Sequence, residues 1–376
     1  MNSNGRNQGS RSRPPAAKRG AVSQPPGRFA REHRVPDQAA LASVEDAWSD
    51  GVPPPSPATR VTDEPARRVI TRNESPDVFF SCSINPYRGC EHGCVYCYAR
   101  PYHAYMDLSP GLDFETRLFA KRNAADCLRR ELAAPSYRCE PVCIGTATDC
   151  YQPIERDLRI TRGIIEVLAA SRHPFSLITK SSLVERDLDL IAPAAADATA
   201  AVYVTVTCLD PGLARAWEPR APAPWRRIET VRRLAEAGVP VGVMVAPIVP
   251  FLNDGDIEAV IEAAARAGAR SAHFTVLRLP HELREVFTDW LRERFPDRAE
   301  RVLARIRDLR GGRMNDPRFH DRMRGEGVWA ELIARRFAMA VRRHGLSRDR
   351  VPLTAERFAP PAQAQPAGDG AQASLF

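Results

Sequence analysis

The sequence predicts an α/β protein: a partial (βα)6 TIM-like barrel with a C-terminal helical extension and disordered termini. Three observations predict it. Between about residues 69 and 280, short runs rich in β-branched and apolar residues alternate with amphipathic helical patterns, the signature of successive βα units around a parallel sheet. Six such runs can be numbered in order. The two ends of the chain are instead low in complexity, rich in Pro, Arg, Ser and Gly at one end and in Pro, Ala and Gln at the other.

In chain order, residues 1–66 form a basic Pro/Arg-rich arm expected to be mostly disordered, with one helix-like apolar pattern around Gln38 to Trp48. The barrel core is expected over 67–280. Its first strand, Val78 to Ile84, runs into a cysteine-rich loop. The second, Pro141 to Ala147, follows a helix from Ala124 to Ala134 that Asn123 is expected to cap. The third, Phe175 to Thr179, follows a helix near Thr161 to Ala170, and the fourth, Ala201 to Thr207, follows a helix at Asp187 to Ile191. The fifth, Pro240 to Ile248, comes after a helix from Ile228 that Gly238 ends, and the sixth, Ser271 to Leu277, after the helix Ile257 to Ala267. In a barrel of this kind, functional side chains collect on the loops after the strand C-termini. Residues 281–357 turn helical, at Leu283 to Phe295, Arg298 to Leu309 and Val328 to His344, and are expected to pack across one side of the barrel. Residues 358–376 form a flexible tail.

A chain of 376 residues is long enough to bury a substantial core. No stretch approaches the roughly 20 apolar residues of a membrane helix, and the start of the chain has no apolar h-region. A cytoplasmic protein without membrane contact is expected. Three of the nine cysteines crowd into one short segment, which favours reduced, metal-binding thiolates over a disulfide framework. The net charge of +8, carried by arginine, favours an anionic partner such as nucleic acid.

The crowded segment is Asn85-Pro-Tyr-Arg-Gly-Cys90-Glu-His-Gly-Cys94-Val-Tyr-Cys97-Tyr-Ala-Arg100. Soft thiolates this close in sequence can wrap one compact metal centre, with Gly89 and Gly93 letting the backbone turn around it. Three thiolates are one short of the four that fill an iron–sulfur cubane, so one iron would stay open. Zinc held by the three cysteines and His92 or His103 is the alternative. The other cysteines, Cys82, Cys127, Cys139, Cys143, Cys150 and Cys208, read as small buried groups.

The spacing C-x3-C-x2-C, with an aromatic before the last Cys and a strand before the loop, resembles the radical S-adenosylmethionine (radical SAM) superfamily. The ordered segments INPYRGCEHGCVYCYAR, TATDCYQPIE, ITKSSLVERDLDLI, VTVTCLD and MVAPIVPFLND resemble its spore photoproduct lyase-like, DNA repair photolyase-related branch over about Val69 to Phe358. The segments Ser109 to Glu115 and Met323 to Gly327 resemble uncharacterised bacterial members of that branch. The resemblance implies a [4Fe–4S] cluster on Cys90, Cys94 and Cys97 whose open iron chelates SAM. An electron from a donor such as flavodoxin or ferredoxin then splits SAM to methionine and a 5′-deoxyadenosyl radical, which takes hydrogen from substrate. It further implies action in nucleic acid repair or modification. A small-molecule or protein substrate, or a non-catalytic cluster-bearing adaptor, are the alternatives.

On the same resemblance, Asp149 and Thr148 would meet the ammonium of SAM, and Lys180, with Ser181 beside it, the methionyl carboxylate. Thr205 and Thr207, on one face of the fourth strand, would join the SAM site, and Tyr96 would back the adenine. The branch's hydrogen-donor cysteine is replaced here by Thr146, which leaves Cys150 as the nearest catalytic substitute. Residues Gln372 to Phe376, QASLF, resemble the Q-x-S-L-F peptide with which bacterial replication and repair proteins dock on the DNA sliding clamp.

Overall fold

The computed structural model describes residues 19–30 and 58–362. The apolar pattern at Gln38 to Trp48 and the clamp-like Gln372 to Phe376 lie outside the described residues. Ten strands are assigned among them: β1 (Arg60–Asp63), β2 (Ile70–Arg72), β3 (Cys82–Ile84), β4 (Tyr87–Arg88), β5 (Arg117–Ala120), β6 (Val142–Ile144), β7 (Phe175–Thr179), β8 (Ala200–Thr205), β9 (Val241–Ile248) and β10 (Ser271–Val276). The main sheet runs in the order β10-β9-β8-β7-β6-β3-β2. All its pairings are parallel except β2 against β3. The strands advance in sequence order across the sheet with helices between them, so the chain forms the partial barrel that the sequence predicts.

Period-two alternation divides the two faces of this sheet. Ile84, Ile144, Leu177, Val202, Val204, Val241 and Val243 join helix residues such as Ile164, Leu168, Val231, Leu234 and Ile261 in one apolar core. Each such side chain contributes about 1.5–3 kcal/mol by burial. The alternate register, Ser83, Cys143, Ser176 and Tyr203, faces the other way, into the half-barrel. The helices behind the sheet are α1 (Ala124–Leu132), α2 (Ile160–Ala170), α3 (Leu188–Ala196), α4 (Pro224–Glu236) and α5 (Ile257–Arg266).

The C-terminal helices divide their work. Helix α8 (Gly327–Arg343) lies on the barrel flank, its Arg336 bonded to Glu258 of α5 at 2.6 Å. Helices α6 (Leu283–Arg294) and α7 (Pro296–Asp308) instead share a second apolar cluster with Trp217, Cys94, Val95 and Tyr96. The expected flank packing therefore holds for one helix, while two reach the cysteine loop.

Three expectations require correction. The first strand starts at Cys82, not Val78, because Asn73 and Ser81 close a turn (N–H to O, 2.7 Å) that sends Phe79 against the Tyr203 ring. Asn123 stands at the start of α1 without capping it; its amide accepts from Ala66 N and donates to Ala66 O, both at 2.9 Å, tethering the incoming chain. Two pieces of the arm expected to be disordered are ordered. Strand β1 pairs parallel with β5, and residues 19–30 dock on the cysteine loop, with Arg19, Gly20 and Ala21 buried. Their composition supplies little apolar surface, but backbone donors find partners far along the chain.

At the opposite end of the strands, His173 is fully buried, its Nδ1 on the Pro174 carbonyl at 3.0 Å and its Nε2 accepting from the Tyr137 hydroxyl at 2.7 Å. Burial pushes its pKa down to about 4. The unfolded chain protonates this ring near pH 6.5, so below that pH the unfolded state gains a proton that the folded state refuses. Stability is full above pH 6.5 and falls as the pH drops toward 4, by on the order of 3 kcal/mol. Urea unfolding at pH 7 and pH 5 is expected to register about 2 kcal/mol of this loss, and His173→Gln to reduce the slope while His103 and His273, also lowered by burial, keep part of it.

Candidate active site at the cysteine loop

Strand β3 ends at Ile84, and the chain turns through β4 into Gly89, where φ is +77°, before reaching Cys90. Each thiol position is then fixed by its own set of backbone clamps. Around Cys90, the Gln152 amide accepts from Glu91 N at 2.8 Å and donates to Gly89 O at 3.3 Å, while the Thr148 hydroxyl also donates to Gly89 O at 2.7 Å. Cys90 N itself donates to Phe114 O at 2.9 Å. Around Cys94, the fully buried guanidinium of Arg100 donates to Gly93 O (3.0 Å), Cys94 O (2.9 Å), Pro110 O (3.0 Å), Gly111 O (2.8 Å) and the Glu115 carboxylate (2.6 Å). Cys97 N closes the last turn on Cys94 O at 3.2 Å.

The thiols share one environment. Cys90 packs with Ala99 and Phe114, Cys94 packs in the apolar cluster of Tyr96 and Trp217, and Cys97 lies against both groups. Burial above all pushes the Cys90 thiol well up and the Cys94 thiol to about 12, with the neighbouring sulfurs acting in the same direction. Thiolates so placed need compensating positive charge, which an iron cluster provides.

Of the two histidines that zinc could use, His103 is engaged elsewhere and His92 faces Asp149. His103 Nε2 sits 3.0 Å from the Arg117 carbonyl, with its ring against Phe114. His92 Nδ1 sits 3.2 Å from Asp149 Oδ2, close in distance but misaligned for its ring N–H. Among the described residues no three Cys, His, Asp or Glu groups converge tightly enough to hold one ion. A cubane instead takes each thiolate on a different iron, so the three need not converge on one point. The donor set fits the cluster.

The residues expected around SAM come together at this end of the sheet. Asp149, after β6, accepts from Tyr151 N (2.9 Å), the Thr179 hydroxyl (2.7 Å) and Lys180 N (2.8 Å), and these bonds with His92 hold its pKa below the usual carboxylate range despite burial. It thus locks the loop after β6 to the end of β7. The Lys180 ammonium lies 5.7 Å from the centre of the Tyr96 ring. Ser181 caps the following turn by accepting from Leu183 N at 3.2 Å. Thr207 donates to Glu218 at 3.1 Å, and the Tyr96 hydroxyl bonds the same carboxylate. Thr205 is buried at the end of β8, its carbonyl accepting from Arg227.

Cys150 is a correction. It has no exposure, lies in the main core, and its Sγ stands where a side chain on Gly145 would collide. The tight turn at Gly145 (φ +88°) tucks it behind the sheet, away from the open face. Thr146 remains at the rim, its hydroxyl 3.1 Å from Asn85 Nδ2.

A model of the radical SAM superfamily matches residues 84–264, from the end of β3 into α5. An uncharacterized protein of Mycobacterium tuberculosis is 40% identical over 259 residues, covering 68% of this chain and 74% of that one. The chain belongs to the radical SAM superfamily. An uncharacterized protein of Methanocaldococcus jannaschii is 29% identical over 171 residues, covering 46% of this chain and 61% of its own. Among solved structures, the chain is similar to a spore photoproduct lyase variant with bound AdoMet and dinucleoside spore photoproduct, at 16% identity and a TM-score of 0.48, covering 71% and 72% of the two chains. As a radical SAM enzyme it uses a [4Fe–4S] cluster and SAM, and Cys90, Cys94 and Cys97 are the residues that would hold the cluster.

Several groups at the radical SAM site were not singled out from sequence: Arg100, Glu115, Gln152, Glu218 and Arg227. Glu218 and Arg227 form a fully buried ion pair beneath Tyr96, and burial pushes the Glu218 carboxyl up while Arg227 opposes it. Nothing in their local sequence marks them, since Arg227 sits in the charged run PWRRIETVRRLAE and Glu218 meets Tyr96 from 122 positions along the chain. No helix among the described residues is long and apolar enough to cross a membrane.

Proposed function

We propose that this radical SAM enzyme acts on a nucleic-acid strand laid across the open end of the half-barrel. The observation that carries this reading is Arg278. It follows β10 at the site end, and its guanidinium lies 5.3 Å from the centre of the Tyr98 ring, next to Cys97. Among the described residues no carboxylate pairs with it: Asp77, the acidic group on that side, is taken by Arg322 at 2.6 Å. Tyr98 and Tyr102, both beside Arg278, are exposed. An unpaired cation among exposed aromatic rings suits phosphate and bases together, and the net charge of +8 supports it.

When bound, the cluster and SAM supply a carbon-centred radical able to abstract hydrogen from substrate. The chain's own part is to clamp the thiol loop, to set Lys180 over Tyr96, and to hold the strand at Arg278. Thr146 at the rim and Cys150 in the core leave thiol-mediated hydrogen return outside the reaction we propose. A cytoplasmic setting, an electron donor of the flavodoxin or ferredoxin class and a sliding-clamp contact through Gln372 to Phe376 complete the proposal.

Fluorescence anisotropy with a labelled oligonucleotide is expected to give affinity that falls steeply with salt. Arg278→Ala is expected to weaken it about tenfold with iron content unchanged. 5′-Deoxyadenosine release by reduced protein is expected to rise with nucleic acid, and most with damaged DNA. No binding at low salt would overturn the reading in favour of a small-molecule or protein substrate.

A further inference from the structure

We propose that residues 19–30 form the outer wall of the cluster site, a positioning segment that keeps the cysteine loop in its ligating shape and shields it from water. The inference rests on Cys90, Cys94 and Cys97 holding the cluster. Glu115, wholly buried, is the hinge of the arrangement. Its carboxylate accepts from Gly20 N at 2.9 Å and Ala21 N at 2.8 Å, and from Arg100 at 2.6 Å. Arg100 in turn grips the carbonyls of Gly93 and Cys94. One carboxylate therefore joins the arm to the guanidinium that shapes the loop.

The contact between arm and loop is made backbone to backbone. A Cβ at position 20 would stand 1.7 Å from the carbonyl oxygen of Gly93, and no side chain can move aside there to relieve the overlap. Ala21, 3% exposed, belongs to the same apolar cluster as Cys94, Val95 and Tyr96, so it covers the loop at one of its thiol positions. The arm is then pinned along its length. Ser109 Oγ donates to Pro25 O at 2.6 Å, Leu112 N donates to Gln24 Oε1 at 2.5 Å, and Arg28 donates to Glu282 from its backbone (2.7 Å) and its guanidinium (2.9 Å). Ordering a chain segment costs conformational entropy, and here that cost is set against buried, charge-assisted bonds to the loop's own supports. Groups outside the ligand set that orient ligands and control solvent access govern how firmly a metal centre is kept and at what potential it works.

The test uses the full chain, reconstituted anaerobically, with Gly20→Ala at the contact and Arg28→Ala at the far anchor. Iron and acid-labile sulfide are counted first. The cluster is then followed by its visible absorbance on exposure to air, and by the electron paramagnetic resonance spectrum of the reduced form. Gly20→Ala is expected to lose the cluster about tenfold faster than the parent protein and to shift the spectrum. Arg28→Ala is expected to change both in the same direction by less. Circular dichroism melting of the cluster-free forms, expected to match, separates this from general unfolding. Parent-like loss rates and spectra in both variants would overturn the inference while leaving the cluster assignment standing. A parent protein without inorganic sulfide would instead remove the cluster assignment, and this inference with it.

Discussion

Alanine in place of any one of Cys90, Cys94 or Cys97 is expected to take the reconstituted protein from about four irons per chain to almost none, and SAM cleavage below detection. The three positions are clamped by different residues: Gln152 and Thr148 at Cys90, Arg100 at Cys94, and the turn onto Cys94 O at Cys97. No spare thiol stands ready to replace a lost one, because Cys150 and Cys143 are fully buried in or beside the sheet. Cys150→Ala therefore makes the informative contrast. It is expected to keep iron and SAM cleavage while losing on the order of 1 kcal/mol of stability from the core. Iron and sulfide analysis alongside liquid chromatography of the nucleoside product checks both. A Cys150→Ala protein that loads its cluster but no longer turns over would restore that thiol to the chemistry.

Arg100→Met is expected to have the next largest effect. The guanidinium and Glu115 are both fully buried, 2.6 Å apart. Removing the cation strands a carboxylate in the interior, which costs about 3–5 kcal/mol, and leaves the carbonyls of Gly93, Cys94, Pro110 and Gly111 without their donor. Denaturant midpoints and iron content are expected to fall together. Adding Glu115→Leu removes the stranded charge but also the acceptor of Gly20 N and Ala21 N, so the double variant is expected to recover part of the stability but not the iron. Recovery of both would mean that Arg100 contributes only charge balance, and that the loop carbonyls do not need it.

The barrel was legible because its signals are local: six apolar runs, each with a helix, and three cysteines within eight residues of one another. The thiol loop could be found from spacing alone. Its supports could not, since Tyr96 and Glu218 are 122 positions apart, and Glu91 and Gln152 are 61. Asp149 and Lys180 were singled out as separate groups, yet the fold joins them directly through the Lys180 backbone. The segment from Ser109 to Glu115 stood out by resemblance, without a role; its role is Glu115. Residues 19–30 read as part of a disordered arm because composition measures what a segment can bury by itself. It does not register a glycine that fits only against another glycine, as Gly20 does against Gly93.

The arm's tethers run against the direction of synthesis. Gly20 leaves the ribosome early, but its acceptor Glu115 is translated 95 positions later and Glu282, which receives Arg28, 254 positions later. The contact with Glu115 can therefore form soon after the thiol loop is made, whereas the anchor on Glu282 must wait for the barrel strands. Seating of the arm is thus staged along the chain, with its Gly20 end able to close before its Arg28 end.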